Sequence, residues 1–183
     1  MSPGFPDFRL GSVLATSFTA TLTERHGDAV ERTPTPQRLV DWLAVNALDV
    51  DSCTMAQLDL AHELREAIHA AATATALQEA LPASAVQVIN ECSARGQATA
   101  LLTPEGERRW RVSGVEDALG VIAADAISLV AGERDGKFAL CASPTCRAAF
   151  FDASQSRTRR WCDMNTCGNR QKKARSNANR KSR

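Results

Sequence analysis

Four cysteines tie one stretch of this 183-residue chain to a single point: Cys141 and Cys146, a fifteen-residue spacer, then Cys162 and Cys167. Each pair has the C-x4-C spacing that one tight turn can carry, and the spacer is long enough to fold back and bring the pairs together. Two pairs of soft thiolates suit the tetrahedral shell of a structural zinc ion, which takes four ligands and leaves no open position. A disulfide pair would need an oxidising compartment. The opening stretch MSPGFPDFRLGSVLATSFTATL carries Asp7 and Arg9 and lacks the basic start and long apolar core of a secretory signal. No apolar run is long enough to span a bilayer. A cytoplasmic chain with no membrane attachment is the expectation, and there paired cysteines bind metal more readily than they form disulfides. An iron–sulfur cluster or a redox-active thiol pair is the competing use, but the spacing matches neither common ferredoxin pattern. Cys53 and Cys92 stand alone in helix-like contexts and read as ordinary buried cysteines.

Charge divides the chain. Residues 137–183 hold twelve lysines and arginines against Asp152 and Asp163, a formal +10, while residues 1–136 carry −9. The total of +1 thus hides two oppositely charged modules. One zinc on four thiolates adds about −2 to the C-terminal part and leaves it strongly positive. Such asymmetry points to a polyanionic partner, nucleic acid above all, because the excess sits on a metal-stapled module. The alternative is a basic segment that aids solubility or docks on the acidic part of the same chain or of a second copy. A domain over 1–132 and a finger over 137–183 follow, joined by the polar segment Glu133–Gly136. A module of fewer than fifty residues builds little core, so zinc would supply most of its folding free energy.

The N-terminal part reads as mixed helix and strand. Residues 12–22 are rich in β-branched and apolar types and predict a strand or a strand running into a helix. Thr35 and Pro36 make an N-cap and a proline at the first helical position, with Leu39, Trp42, Leu43 and Leu48 as the buried stripe. Thr54 and Gln57 form a capping box for a helix to about Leu81, with Leu58, Ala61, Leu64 and Ile68 inward and an alanine-rich half prone to break. Ser84 caps a shorter helix to about Glu91. The turn Pro104-Glu105-Gly106 predicts a hairpin. Ser113 and Glu116 predict a second capping box, opening a helix that presents Val115, Leu119, Ile122, Ala126, Ile127 and Val130 on one face until Gly132.

No catalytic constellation emerges. There is no glycine-rich phosphate loop, no G-x-S-x-G and no H-E-x-x-H, so the chain is not expected to be an enzyme. His62 and His69 lie two turns apart, a long span for one ion. Trp110 and Trp42 read as packing residues.

In the C-terminal part, Lys137–Leu140 leads as a strand into the first knuckle and residues 148–152 return as a second strand. Cys167 opens a helix whose first-turn N–H groups help keep a thiolate ionised. A knuckle, a hairpin and a second knuckle at a helix start are the parts of a treble clef. The run Arg159-Arg160-Trp161-Cys162-Asp163-Met164, followed by Cys167-Gly168-Asn169-Arg170 and Lys172, resembles the CGNR zinc finger. In that family the finger follows an N-terminal ABATE domain, described as a stress-induced transcription regulator. The resemblance covers about residues 138–175 closely. Over 10–130 it is looser and includes the helical stretch Leu64-Arg65-Glu66-Ala67. It implies an α+β protein: a mixed α/β N-terminal domain, then a treble-clef finger that holds one Zn2+ and binds DNA; in a regulator of this kind the N-terminal domain is expected to sense a small-molecule ligand or form a homodimer. It also implies a bacterial cytosolic location, at the nucleoid if DNA is bound. An RNA-binding or ribosome-associated finger and a protein-interaction module are the alternatives.

Two departures from the family stand out. Ala148-Ala149 replaces the bulky residues common after the second cysteine, which predicts a leaner finger or one that borrows packing. Thr16-Ser17-Phe18-Thr19-Ala20-Thr21 lacks the family's Asn-Thr pair. For phosphate contact the candidates are Arg157, Arg159 and Arg160 on the spacer loop and Lys172, Lys173, Arg175, Arg180 and Lys181 on the helix. Arg170 is divided between phosphate and bracing the knuckle. Lys172, Arg175 and Asn179 share one helical face, and Asn179 has the amide to read an adenine edge.

Overall fold

The computed structural model describes residues 4–181, apart from the side chains at 175, 178, 179 and 181. Its helices are α1 (Leu14–Thr19), α2 (Pro36–Val45), α3 (Met55–Leu77), α4 (Ala83–Arg95), α5 (Val115–Val130) and α6 (Asn169–Lys181). Three antiparallel pairs accompany them: β1 (Leu22–Thr23) with β2 (Val30–Glu31), β3 (Thr99–Leu102) with β4 (Arg108–Arg111), and β5 (Lys137–Leu140) with β6 (Ala149–Asp152). The architecture is α+β, helices first and a small cysteine-rich finger last.

Local rules place most of the helices. Thr35 Oγ1 accepts the Arg38 N–H ahead of Pro36, and Leu39, Trp42, Leu43 and Leu48 are all fully buried. At α3 the capping box is complete: Gln57 N–H donates to Thr54 Oγ1, and Thr54 N–H donates to Gln57 Oε1. The alanine-rich half of α3 does not break. Ala71, Ala72 and Ala74 are buried against neighbouring elements, and the helix ends four residues before Leu81, at Leu77, with Gln78 in the left-handed region. Small side chains let α3 serve as a central ridge, with α1, α2, α4 and α5 around it.

Four expectations are corrected. Residues 14–19 form α1 and a two-residue strand follows it, because Ala15, Ser17, Phe18 and Thr19 bury one face on α5 and α3. Tertiary packing overrides the β preference of the stretch. Helix α4 starts at Ala83 behind Pro82 and runs to Arg95, with no side-chain cap from Ser84. The Ser113–Glu116 box does not form: Asp117 accepts the Ser113 N–H, and Glu116 turns to the Gln57 amide. Gly132, in the left-handed region at φ 75°, marks the stop after α5, but Ile127 is exposed.

The buried Arg65 knits the N-terminal part together. It donates to Glu31 Oε1 at 2.8 Å, Thr21 Oγ1 at 3.2 Å and Glu66 Oε1 at 2.9 Å, joining α3 to β2 and to the turn after α1. The finger's hairpin packs onto this body. Phe138 and Phe151, edge-to-face at 5.4 Å, and Ala149 belong to the same apolar core as α3 and α5. The finger therefore borrows packing, as its alanines predict. Residue 136 must be glycine here: φ is 152°, and a Cβ would lie 2.3 Å from the Phe151 ring.

Candidate metal centre and basic finger

Hairpin β5–β6 carries the first knuckle at its tip. Cys141 follows β5 directly, and its N–H donates to the Ala148 carbonyl at 2.9 Å. The Ser143 carbonyl then accepts from the N–H groups of Cys146 and Arg147, closing the turn, with Arg147 at φ 49°. The Ala142 N–H reaches the Arg160 carbonyl at 2.8 Å and draws the spacer loop back. On the second knuckle Asp163 is the organiser. Its Oδ1 accepts the Asn165 and Thr166 N–H groups, its carbonyl accepts the Gly168 N–H, and a π-helical turn over Met164–Gly168 feeds α6. Gly168 allows a close approach behind the last cysteine, since a Cβ there would lie 2.8 Å from the Met164 sulfur.

The four sulfurs all lie within 4.8 Å of one another, with Cys146–Cys162 and Cys162–Cys167 both at 3.7 Å. A disulfide bond would need about 2 Å. Sulfurs at the corners of a tetrahedron around zinc, each about 2.3 Å from the ion, stand about 3.8 Å apart. Cys141, Cys146 and Cys167 are fully buried and Cys162 half-buried, so the ion would be closed off from water. The charges also call for a cation. Hydrogen bonds from the Cys146 and Cys162 thiols, then from the Cys162 and Ser143 N–H groups, hold the Cys141 thiol down to about 3. The same crowding by Cys141 and Cys146 pushes the Cys162 thiol up. Four thiols this close cannot all ionise alone, and one divalent ion at their centre removes the conflict. The cluster can bind one zinc ion.

The finger's two acids are turned inward. Asp152, fully buried, accepts the Ser154 and Arg159 N–H groups and pins the spacer loop, while Asp163 holds the second knuckle. Sequence reasoning gave neither a role, although an acid two residues ahead of free N–H groups is a readable capping signal. Among the described residues the finger therefore presents no fully exposed carboxylate, while nine of its basic side chains are exposed.

Seven of those basic residues, all from the spacer loop and α6, divide into two groups. Arg159 donates to the Cys162 carbonyl at 2.8 Å and lies over the Phe150 ring, so it braces the second knuckle. Arg157 pairs with Asp135. Arg170 does not stand free: its Nη1 donates to Glu24 Oε2 at 2.6 Å and to Thr145 Oγ1 of the first knuckle at 3.3 Å, and Thr145 Oγ1 donates to the same Glu24 oxygen at 2.7 Å. The Arg170 and Thr145 hydrogen bonds outweigh burial and hold the Glu24 carboxyl below its ordinary value. The His26 N–H meets the Thr145 carbonyl at 3.0 Å beside this contact, so the 24–27 loop clasps the first knuckle. Arg160 stacks over Trp161 at 5.5 Å, and Lys172, Lys173 and Arg180 are exposed, with no acidic partner among the described residues. The side chains of Arg175, Asn179 and Lys181 lie outside the described residues. His62 meets the Thr33 carbonyl, and His69 is pushed down to about 4, chiefly by burial and then by the Arg25 charge. They form no site together. Among the described residues no helix is long and apolar enough to cross a membrane.

No curated protein matches the chain. Two family profiles do. The CGNR zinc finger profile covers residues 137–180, the segment that holds all four cysteines. The ABATE profile covers residues 12–133, about two thirds of the sequence. The chain therefore belongs to the ABATE family, described as "Putative stress-induced transcription regulator", and carries a CGNR zinc finger behind that domain.

Proposed function

We propose that the protein is a DNA-binding transcription regulator of the cytoplasm, with the zinc finger as its nucleic-acid module and the ABATE domain as its sensing or dimerising part. One observation carries the reading: α6 leaves the second knuckle as a thirteen-residue helix with no acidic residue, and it packs chiefly on the turn that precedes it. A helix this short is marginal alone in water, and this one has few apolar residues to bury. A polyanion laid against Lys172, Lys173 and Arg180 would stabilise it through the phosphate charge. Its length of about 20 Å suits a duplex groove. The regulator description of the family supports the same assignment. No enzymatic step is part of this proposal.

The test is a titration of zinc-loaded protein with mixed-sequence duplex DNA at two salt concentrations, before and after chelation. Binding that weakens with salt and needs zinc is the expected outcome. Absence of binding at low salt would overturn the reading. The Arg170–Glu24 and Arg157–Asp135 pairs favour a second one, in which the finger is a docking module for acidic protein surfaces. A stoichiometric protein complex that survives high salt without nucleic acid would select it.

A further inference from the structure

A cleft of about 460 Å³ runs between the N-terminal arm and α1 on one side and the finger on the other. Arg9 and Ser12 come from the arm, Thr16 and Thr19 from α1, and Ala149 and Phe150 from β6. The volume is that of a small-molecule site. Ala149 and Phe150 give an apolar patch with the Arg159 guanidinium over the Phe150 ring, and the far wall is made by the second knuckle at Asp163 and Met164. One end is cationic. Arg9 lines the cleft, and its Nη1 is buried with no hydrogen-bond partner among the described residues. Behind it sits Arg32, only 5% exposed. Arg32 donates to the Asp7 and Val30 carbonyls and to Thr23 Oγ1, a cleft-lining hydroxyl.

Neither arginine has a carboxylate in contact among the described residues. Of the nearest acids, Glu31 holds Arg65 and Thr33, and Glu24 gives its Oε2 to Arg170 and Thr145 while its Oε1 is buried with no hydrogen-bond partner among the described residues. Burial and then the neighbouring Arg9 charge lower the Arg32 pKa, against the opposing charges of Glu24 and Glu31. Buried guanidinium N–H groups without an acceptor are costly to leave unmade. An anion entering the cleft would meet the part of Arg9 that lines it, and Ala149 and Phe150 would take an uncharged body.

We propose that this cleft is the effector site of the ABATE domain and takes a small organic carboxylate, its carboxylate on Arg9 and its apolar body over Ala149 and Phe150. A planar guanidinium matches a carboxylate in a forked pair. The ligand would touch body and finger at once, so occupancy would stiffen the junction that carries the second knuckle. This deepens the sensing half of the proposed function and is independent of whether the finger binds DNA.

Benzoate is the probe, with benzamide as its neutral counterpart and inorganic phosphate as an anion without an apolar body. The zinc-loaded full chain is titrated without DNA, following amide shifts of Gly11, Ser17 and Ala149. The expected result is saturable shifts with benzoate, weaker by about tenfold or more with either of the other two. Arg9→Gln should abolish the benzoate shifts and Arg9→Lys should restore them in part, with zinc content and melting temperature showing that both variants are folded. Benzoate shifts unchanged by Arg9→Gln would overturn the proposal, since Arg9 would then serve only the nearby Glu24. Equal binding of benzamide or of phosphate would overturn it too, as would no saturable shift at all. Failure of the DNA titration leaves these readouts unaffected, so the two readings fail separately.

Discussion

The two halves of the finger are held by different means. The hairpin half, β5 and β6, sends Phe138, Ala149 and Phe151 into the core built by α3 and α5. The helical half, α6, packs chiefly on the second knuckle, touches the body through the Arg170–Glu24 pair and points its other basic side chains outward. Hydrophobic burial therefore fixes where the finger sits, and the metal fixes whether its outer half has a base to stand on. A module with little core of its own can still be precisely placed if one edge of it belongs to its neighbour. The exposed half is then left free for a partner, with no apolar demand on its sequence.

The largest expected effect tests the metal side of this division. Chelation or Cys146→Ser should unfold the finger, since structural zinc in small fingers contributes about 10–16 kcal/mol of apparent binding free energy. The helices of the body should persist, with a lowered melting temperature because the Phe138 and Phe151 faces are lost. Far-ultraviolet circular dichroism against zinc content reads both. Retention of the finger's tertiary signals in the metal-free protein would break the comparison. Next comes Phe151→Ala, with a loss of about 3–5 kcal/mol. If core sharing is real, denaturant curves will show that loss in the body's transition as well as the finger's.

The third effect is pH-dependent. His69 lies on α3, and its folded pKa of about 4 stands below the ordinary 6.5. The unfolded chain therefore binds the extra proton between those values. The contribution is complete above pH 6.5 and is lost as pH falls toward 4, at up to about 1 kcal/mol per pH unit. His69→Gln should flatten that slope in urea melts. Smaller still, Glu24→Gln should cost about 1 kcal/mol by weakening the Arg170 and Thr145 hydrogen bonds. Arg170→Gln in the same background should add little, because the two changes remove one contact. Last, Lys172→Ala with Lys173→Ala should change stability by no more than about 0.5 kcal/mol. The same pair should reduce the salt dependence of DNA binding by about one phosphate for each lysine that touches one.

The parts of this protein that were legible in its sequence are those governed by short-range rules. Cysteine spacing identified the metal cluster, and Thr35, Thr54 and Gln57 announced two helix starts because a cap bonds within three residues of itself. The misreadings share the opposite cause. Residues 14–19 look like a strand until α5 and α3 cover one face of them. Ser113 has two acids within reach, and which one takes its N–H depends on Gln57, a residue on another helix. Arg170 was assigned from its place in the finger, whereas its partner, Glu24, lies 146 positions earlier in the chain. The cleft was invisible for the same reason, since its walls come from residues 9–23 and 148–165 and no local pattern links them.

The shared core also sets a timetable for biosynthesis. Helix α3 is complete at Leu77, but the hairpin that covers part of it begins only at Lys137, about sixty residues later. At translation speeds of about 5–20 residues per second, that interval lasts roughly 3–12 seconds. Throughout it the newborn α3 exposes the patch that Phe138 and Phe151 later occupy. Holding chaperones have their opportunity there, and zinc scarcity, by delaying the finger, would prolong it.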